Sequence, residues 1–181
     1  MLCLKLFALL VLVLGVSLGA AFPRHSPRRG CSLFKYKKLP HHDKKAVRKM
    51  KDEFEHIRRP ARNCHTLPFD REWKPADLSL PDRVLLAEAE LNFTITMLQF
   101  PSHPSFAEAH QEPLAFLARA RKDLQGCVAP SHQPSEKLRH WLHNLQEAMK
   151  TETHPCLENY AINHIFEVLG HLKCAACQEE C

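Results

Sequence analysis

Glycine is scarce in this chain. There are five in 181 residues, and Gly15 and Gly19 fall in the first twenty-one. So few leave no material for a Gly-rich phosphate loop or a G-x-S-x-G nucleophile elbow, and these enzyme classes drop out. No convincing run of alternating β-branched residues occurs, which argues against sheets. No internal repeat or low-complexity tract is present. Long apolar runs are missing too, apart from one. That run, LFALLVLVLGVSLGA after Lys5, ends in the small residues Gly19-Ala20-Ala21. It reads as a secretory signal peptide over residues 1–21 rather than a membrane span, being short for the ~20 residues a span needs. No other stretch could insert in a membrane.

What remains, residues 22–181, is enough for one domain with its own core. Its charge is uneven. Between Arg24 and Arg62 there are 14 Lys/Arg against four Asp/Glu, in a chain of net charge +5. A basic face of this kind fits an acidic partner, a sulfated polysaccharide or an acidic receptor surface, better than nucleic acid. It also fits a face that is simply solvated.

Eight cysteines are present. Cys3 leaves with the signal, so Cys31, Cys64, Cys127, Cys156, Cys174, Cys177 and Cys181 remain. In an oxidising compartment most of them pair, and an odd number leaves one over.

Pro and His clusters separate segments of helical period, so the predicted fold is all-α. The first helix spans about Pro40 to Arg59, with Val47, Met50, Phe54 and Ile57 on one stripe and Pro60 as its stop. A loop from Ala61 to Pro81 follows. Its length points to function, with Cys64, Phe69 and Trp73 to pin it. The next helix, about Asp82 to Phe100, has two apolar stripes. One is Val84, Leu91, Ile95 and Leu98; the other is Leu86, Ala89, Phe93, Met97 and Phe100. It therefore belongs at the centre of a bundle. Its narrow polar strip carries Asn92-Phe93-Thr94, the only glycosylation sequon. A further helix is expected from Pro113, preceded by a separate turn over Ser105–Glu112.

The segment LRHWLHNLQEAMKTETHPCLE, capped by Ser135, places Leu138, Leu142, Leu145 and Met149 inward with Trp141 on the flank. A last helix is expected from Cys156 to Lys173, with Ile162, Ile165, Leu169 and Leu172 inside. Phe166 lies at the edge of that face and is either a rim of the core or a contact for a partner.

Catalytic readings are weak. His140, His143 and Glu147 have a spacing that could hold a metal, but a zinc site needs three or four convergent ligands, and an exposed histidine-bearing face is the expected reading. Cys174-Ala175-Ala176-Cys177 has the spacing of a redox pair, but no β-α-β setting, and Cys181 is close by. Nothing implies a cofactor or a metal. The residues read as a signalling ligand. A helical carrier, or a thiol- or metal-dependent secreted enzyme, is the alternative.

The segment from Leu138 to Glu158 resembles the penultimate-helix signature of the type III interferons, the interferon lambda family. Gly30-Cys31, Tyr36-Lys37-x-Leu39, the C-x4-F-x-R-x-W of Cys64, Phe69, Arg71 and Trp73, Glu88-Ala89-Glu90-Leu91, and Pro113-Leu114 agree in order. The resemblance implies a class II helical cytokine bundle of about six helices. It implies a monomeric antiviral ligand for the interferon lambda receptor chain and the interleukin-10 receptor beta chain, acting through Janus kinase–STAT signalling. It implies disulfides Cys31–Cys127, Cys64–Cys156 and Cys174–Cys181, with Cys177 free. By position it implies receptor contacts at Lys44, Arg48, Lys51, Phe69, Arg71, Trp73, Ile162 and Phe166. Ile162 is preferred to Asn163 as the counterpart of a family phenylalanine because it is apolar. Glu167 stands where the family has a basic residue.

Overall fold

The computed structural model describes residues 31–57, 64–65, 67–101, 106–177 and 181. The leader over residues 1–21, Arg28-Arg29, Gly30 and the stop at Pro60 lie outside them. Among the described residues there are six α-helices and no strands: α1 (His41–Ile57), α2 (Leu80–Leu98), α3 (Ala107–Gln125), α4 (Glu136–Thr151), α5 (His154–Asn163) and α6 (Ile165–Ala176). Short 3-10 turns stand at Phe34–Tyr36 and Pro75–Asp77.

Helix α2 is the centre, as its double stripe requires. It packs against α3, α4, α5 and α6, while α1 lies against α3 and α5. Leu86, Leu91, Phe93 and Leu98 of α2 are fully buried. Ser79 begins the helix, its hydroxyl accepting the Asp82 N–H at 3.4 Å, with Pro81 in the first turn where no partner for its nitrogen is needed. The expected inner residue Phe100 is not buried. It follows the end of α2 and is 73% exposed.

Helix α1 buries Val47, Met50 and Phe54, the stripe read from its period. Its first half is electrostatically awkward. Lys44 and Arg48, and Lys45 and Lys49, are like-charge pairs at i, i+4, each costing ~0.2–0.5 kcal/mol, while Asp43 in the first turn suits the helix dipole.

Three expectations are corrected. Helix α3 does not start at Pro113; it begins at Ala107 and runs through the proline. A helix-interior proline costs ~3 kcal/mol, and the packing before it supplies the compensation. Phe106 is fully buried, its ring 5.4 Å from Phe54, and His110 folds back onto the Phe106 carbonyl at 3.0 Å. Residues 107–112 therefore continue α3 rather than forming a separate turn.

Helix α4 is rotated from its expected setting. Leu138, Trp141, Leu145 and Ala148 are buried, while Leu142 and Met149 are half-buried. Trp141 is core rather than flank because Phe69, Arg71 and Trp73 of the loop close over it. His140 and His143 are exposed, as expected. Ser135 occupies the cap position, but its hydroxyl makes no cap bond. Its peptide N–H donates instead to the Asp82 carboxylate at 3.2 Å, and the other oxygen of Asp82 meets His132 Nε2 at 2.8 Å. Burial pushes the Asp82 carboxyl up, but these hydrogen bonds outweigh it and hold the group below the usual carboxylate range.

The last segment is two helices, not one. His164 leaves helical geometry with ψ of 4°, and its N–H closes back on the Tyr160 and Ile162 carbonyls. Helix α5 also starts two residues before Cys156, with Pro155 in the first turn.

The disulfides are Cys31–Cys127, Cys64–Cys156 and Cys174–Cys181, and Cys177 is free. The first two span 96 and 92 residues. Bonds of that reach add ~3–5 kcal/mol each by loop-closure entropy.

Candidate functional site

The long loop after α1 is held along its described length. Cys64 is tied to α5, and the His65 N–H donates to Glu152 at 2.8 Å. Farther on, Arg83 of α2 donates to the carbonyls of Leu78 at 3.0 Å and Ala76 at 2.9 Å. Between these clamps lie Phe69, Arg71 and Trp73, three of the expected contacts, and the structure brings them together.

Phe69 is 4% exposed. Its ring meets Phe93 at 5.2 Å and Tyr160 at 5.4 Å edge-on, Trp141 at 6.2 Å and His164 at 5.9 Å. Its N–H donates to the Tyr160 hydroxyl at 3.1 Å. Burial pushes the Tyr160 phenol above its ordinary range. As a buried hub Phe69 pins the loop, as expected, and leaves almost no surface for the contact that the resemblance implies for it.

Two residues on, the Arg71 side chain is also buried, 6% exposed. Its guanidinium donates to Glu90 at 2.9 Å, to the Phe69 carbonyl at 3.3 Å and to Glu167 at 3.3 Å. The rings of Trp73 and Trp141 flank it at 5.3 and 5.6 Å. Glu90 is wholly buried, and its second oxygen meets His171 Nδ1 at 2.6 Å. His171 Nε2 lies 3.2 Å from Arg71. The neutral Nδ1–H tautomer satisfies both contacts, donating to Glu90 and accepting from Arg71. Arg71 is thus spent inward, on the chain's own carboxylates, rather than held out to a partner.

Trp73 is half-buried, edge-on to Trp141 at 6.5 Å, with the Lys137 ammonium 5.8 Å above it. It rims an open cleft of about 410 Å³, whose wall is Leu67, Arg71, Tyr160, His164, Glu167 and His171. Leu67 is 65% exposed at the mouth. Across α6, Phe166 is 38% exposed and touches the first helix, the Lys51 ammonium standing 5.9 Å from its ring. Lys44, Arg48 and Lys51 follow at i, i+4 and i+7 and share that flank of α1. The exposed surface therefore joins α1, the loop and α6.

Ile162 is fully buried. Its burial is what the period of the last segment predicts; it leaves no surface for the contact that the resemblance implies, and the break at His164 separates it from Phe166. Glu90, Glu167, His164 and His171 were not among the expected site residues. Glu90 did leave a signal. At ~100° per residue it falls between Leu86, Phe93 and Met97 on the apolar arc of α2, and a carboxylate there demands a buried cation. No comparable signal marks the histidines, whose roles depend on the break. Asn92 is half-exposed on the polar strip of α2. Among the described residues no group of three or more His, Cys, Asp or Glu could hold a metal ion, and no helix is long and apolar enough to cross a membrane.

Comparison with known proteins gives a consistent result. The family model for interleukin-28A matches residues 28–178. Interferon lambda-3 of Gallus gallus is 49% identical over the full length of both chains. Interferon lambda-1 of Homo sapiens is 30% identical over 89% of this chain and 84% of its own. Interferon lambda-2 of Mus musculus is 30% identical over 84% and 83%.

Proposed function

The chain belongs to the interferon lambda family of antiviral, innate-immune cytokines, and on that basis we propose that it is a secreted ligand that joins two class II receptor chains. It is a cytokine and not an enzyme. The interferon lambda receptor chain docks on the flank of α1, on Trp73 of the loop and on Phe166 of α6. The interleukin-10 receptor beta chain binds a separate surface, and the pair starts Janus kinase–STAT signalling. Residues 1–21 direct the chain out of the cell, and Asn92 carries a glycan.

One observation carries this reading. Phe166 and Trp73 are aromatic side chains left partly in solvent, on backbone fixed by disulfides and buried ion pairs. An anchored aromatic with basic neighbours such as Lys51 is the usual composition of a binding hot spot. Fixing the loop beforehand also removes the ordering cost that a mobile loop would bring to binding.

The test is binding of the purified protein to each receptor ectodomain, together with STAT phosphorylation in epithelial cells of the source species. Binding to the first chain alone and to both together, with phosphorylation, is expected. Well-folded protein that binds neither ectodomain would refute the assignment.

A further inference from the structure

The outer side of α1 is not needed for the docking surface above, and it is the most cationic part of the described molecule. Val47, Met50 and Phe54 define the buried direction. At ~100° per residue, Lys45 and Lys49 point nearly opposite to it, while Lys44 and Lys51 lie on the flank toward α6 and Arg48 between the two. Lys44, Lys45, Arg48 and Lys49 are all exposed, and none closes an ion pair among the described residues. Exposed Lys38 precedes the helix on the same basic stretch. Asp52 and Glu53 bound the patch at its far end.

This arrangement works against the helix that holds it. Lys44–Arg48 and Lys45–Lys49 are like-charge pairs at i, i+4, which repel. Local stability alone does not favour four unpaired cations there. A polyanion laid along the helix would offset these repulsions with attractions of its own.

We propose that the outer face of α1 binds a sulfated polysaccharide through Lys45 and Lys49, with Lys44 and Arg48 at its edge. The composition favours that polyanion over others. Apart from the imidazoles of His41 and His56, the face carries no ring, and it has none of the large aliphatic side chains that a bilayer would engage. Dense basic spacing on a helix suits a flexible sulfated chain. Lys45 and Lys49 lie off the Trp73–Phe166 surface, while Lys44 and Arg48 at the edge are shared with the docking flank of α1, so the experiment turns on Lys45 and Lys49 and its failure leaves the receptor reading standing.

The experiment measures binding of heparan sulfate oligosaccharides to the intact protein and to two variants of equal charge, K45Q/K49Q and K122Q/K173Q. Lys122 and Lys173 are exposed cations on α3 and α6. K45Q/K49Q is expected to weaken binding about tenfold and to flatten its salt dependence, with about two fewer counterions released on binding. K122Q/K173Q should change the affinity less than about twofold. Glutamine is a good helix former, so α1 should persist. Acetylation of the unaltered protein gives a check that needs no variant. Bound oligosaccharide should shield Lys45 and Lys49 but not Lys122 or Lys173. The proposal is overturned if both variants lose affinity equally, or if shielding is uniform. It is also overturned if desulfated polysaccharide, duplex DNA or phosphatidylserine vesicles bind as tightly.

Discussion

Arg71 and Phe166 show how residues of one surface divide the work. Arg71 faces a wholly buried carboxylate, so its loss leaves Glu90 in the core with its His171 hydrogen bond but without its guanidinium. Arg71→Ala should destabilise the fold by ~3–5 kcal/mol, seen as an early midpoint in urea. Any loss of activity would then follow from loss of the loop's position. Phe166 is over a third exposed, and Phe166→Ala should weaken receptor binding at least tenfold while costing under ~1 kcal/mol of stability. A thermal midpoint that fell as far as that of Arg71→Ala would return Phe166 to the core. Sequence distinguished these residues only in part. The edge position of Phe166 was legible from its period, and the structure exposes it. The burial of Ile162 was legible from the same period, and Phe69 was expected to pin the loop; what the sequence did not show is that their burial leaves almost no surface for the contacts that the family resemblance implies for them.

Among the elements, those set by periodicity were legible and those set by contacts across the bundle were not. The buried stripes of α1 and α2 follow from spacing alone. The start of α3 does not, because Phe106 and His110 pack well enough to carry a helix through Pro113. The setting of α4 does not either, since Trp141 turns inward to meet Phe69 and Arg71. The break at His164 has no proline or glycine to announce it. The junction of α2 and α4 makes its own prediction. Asp82 is held below its ordinary value by His132 and Ser135. A depressed carboxylate adds stability above its unfolded value, and that stability is lost as pH falls through the folded one. The protein should therefore weaken below pH 3.8. Asp82→Asn should flatten that decline, and acid titrations followed by circular dichroism would check it. An unchanged slope would remove Asp82 from the account.

At the scale of the whole molecule, the fold class, the order of helices and the three disulfides were all legible, the last through the family resemblance. Titration with a thiol reagent under denaturing, non-reducing conditions should find one free thiol in the chain from residue 22 on, that of Cys177. Replacing both Cys64 and Cys156 by serine should cost ~3–5 kcal/mol. It should also lower receptor affinity more than the Cys174→Ser/Cys181→Ser pair does, because only the former releases the loop. Equal losses from the two pairs would detach the loop from receptor binding.

The two long bonds also impose an order on the protein's manufacture. Cys31 and Cys64 emerge early from the ribosome, and their partners Cys127 and Cys156 emerge late. Neither correct bond can form until most of the chain has been made. In the meantime the early thiols are near enough in sequence to pair wrongly with each other. The cell that makes this protein therefore needs thiol exchange after synthesis, and its yield should depend on disulfide isomerase as much as on transcription.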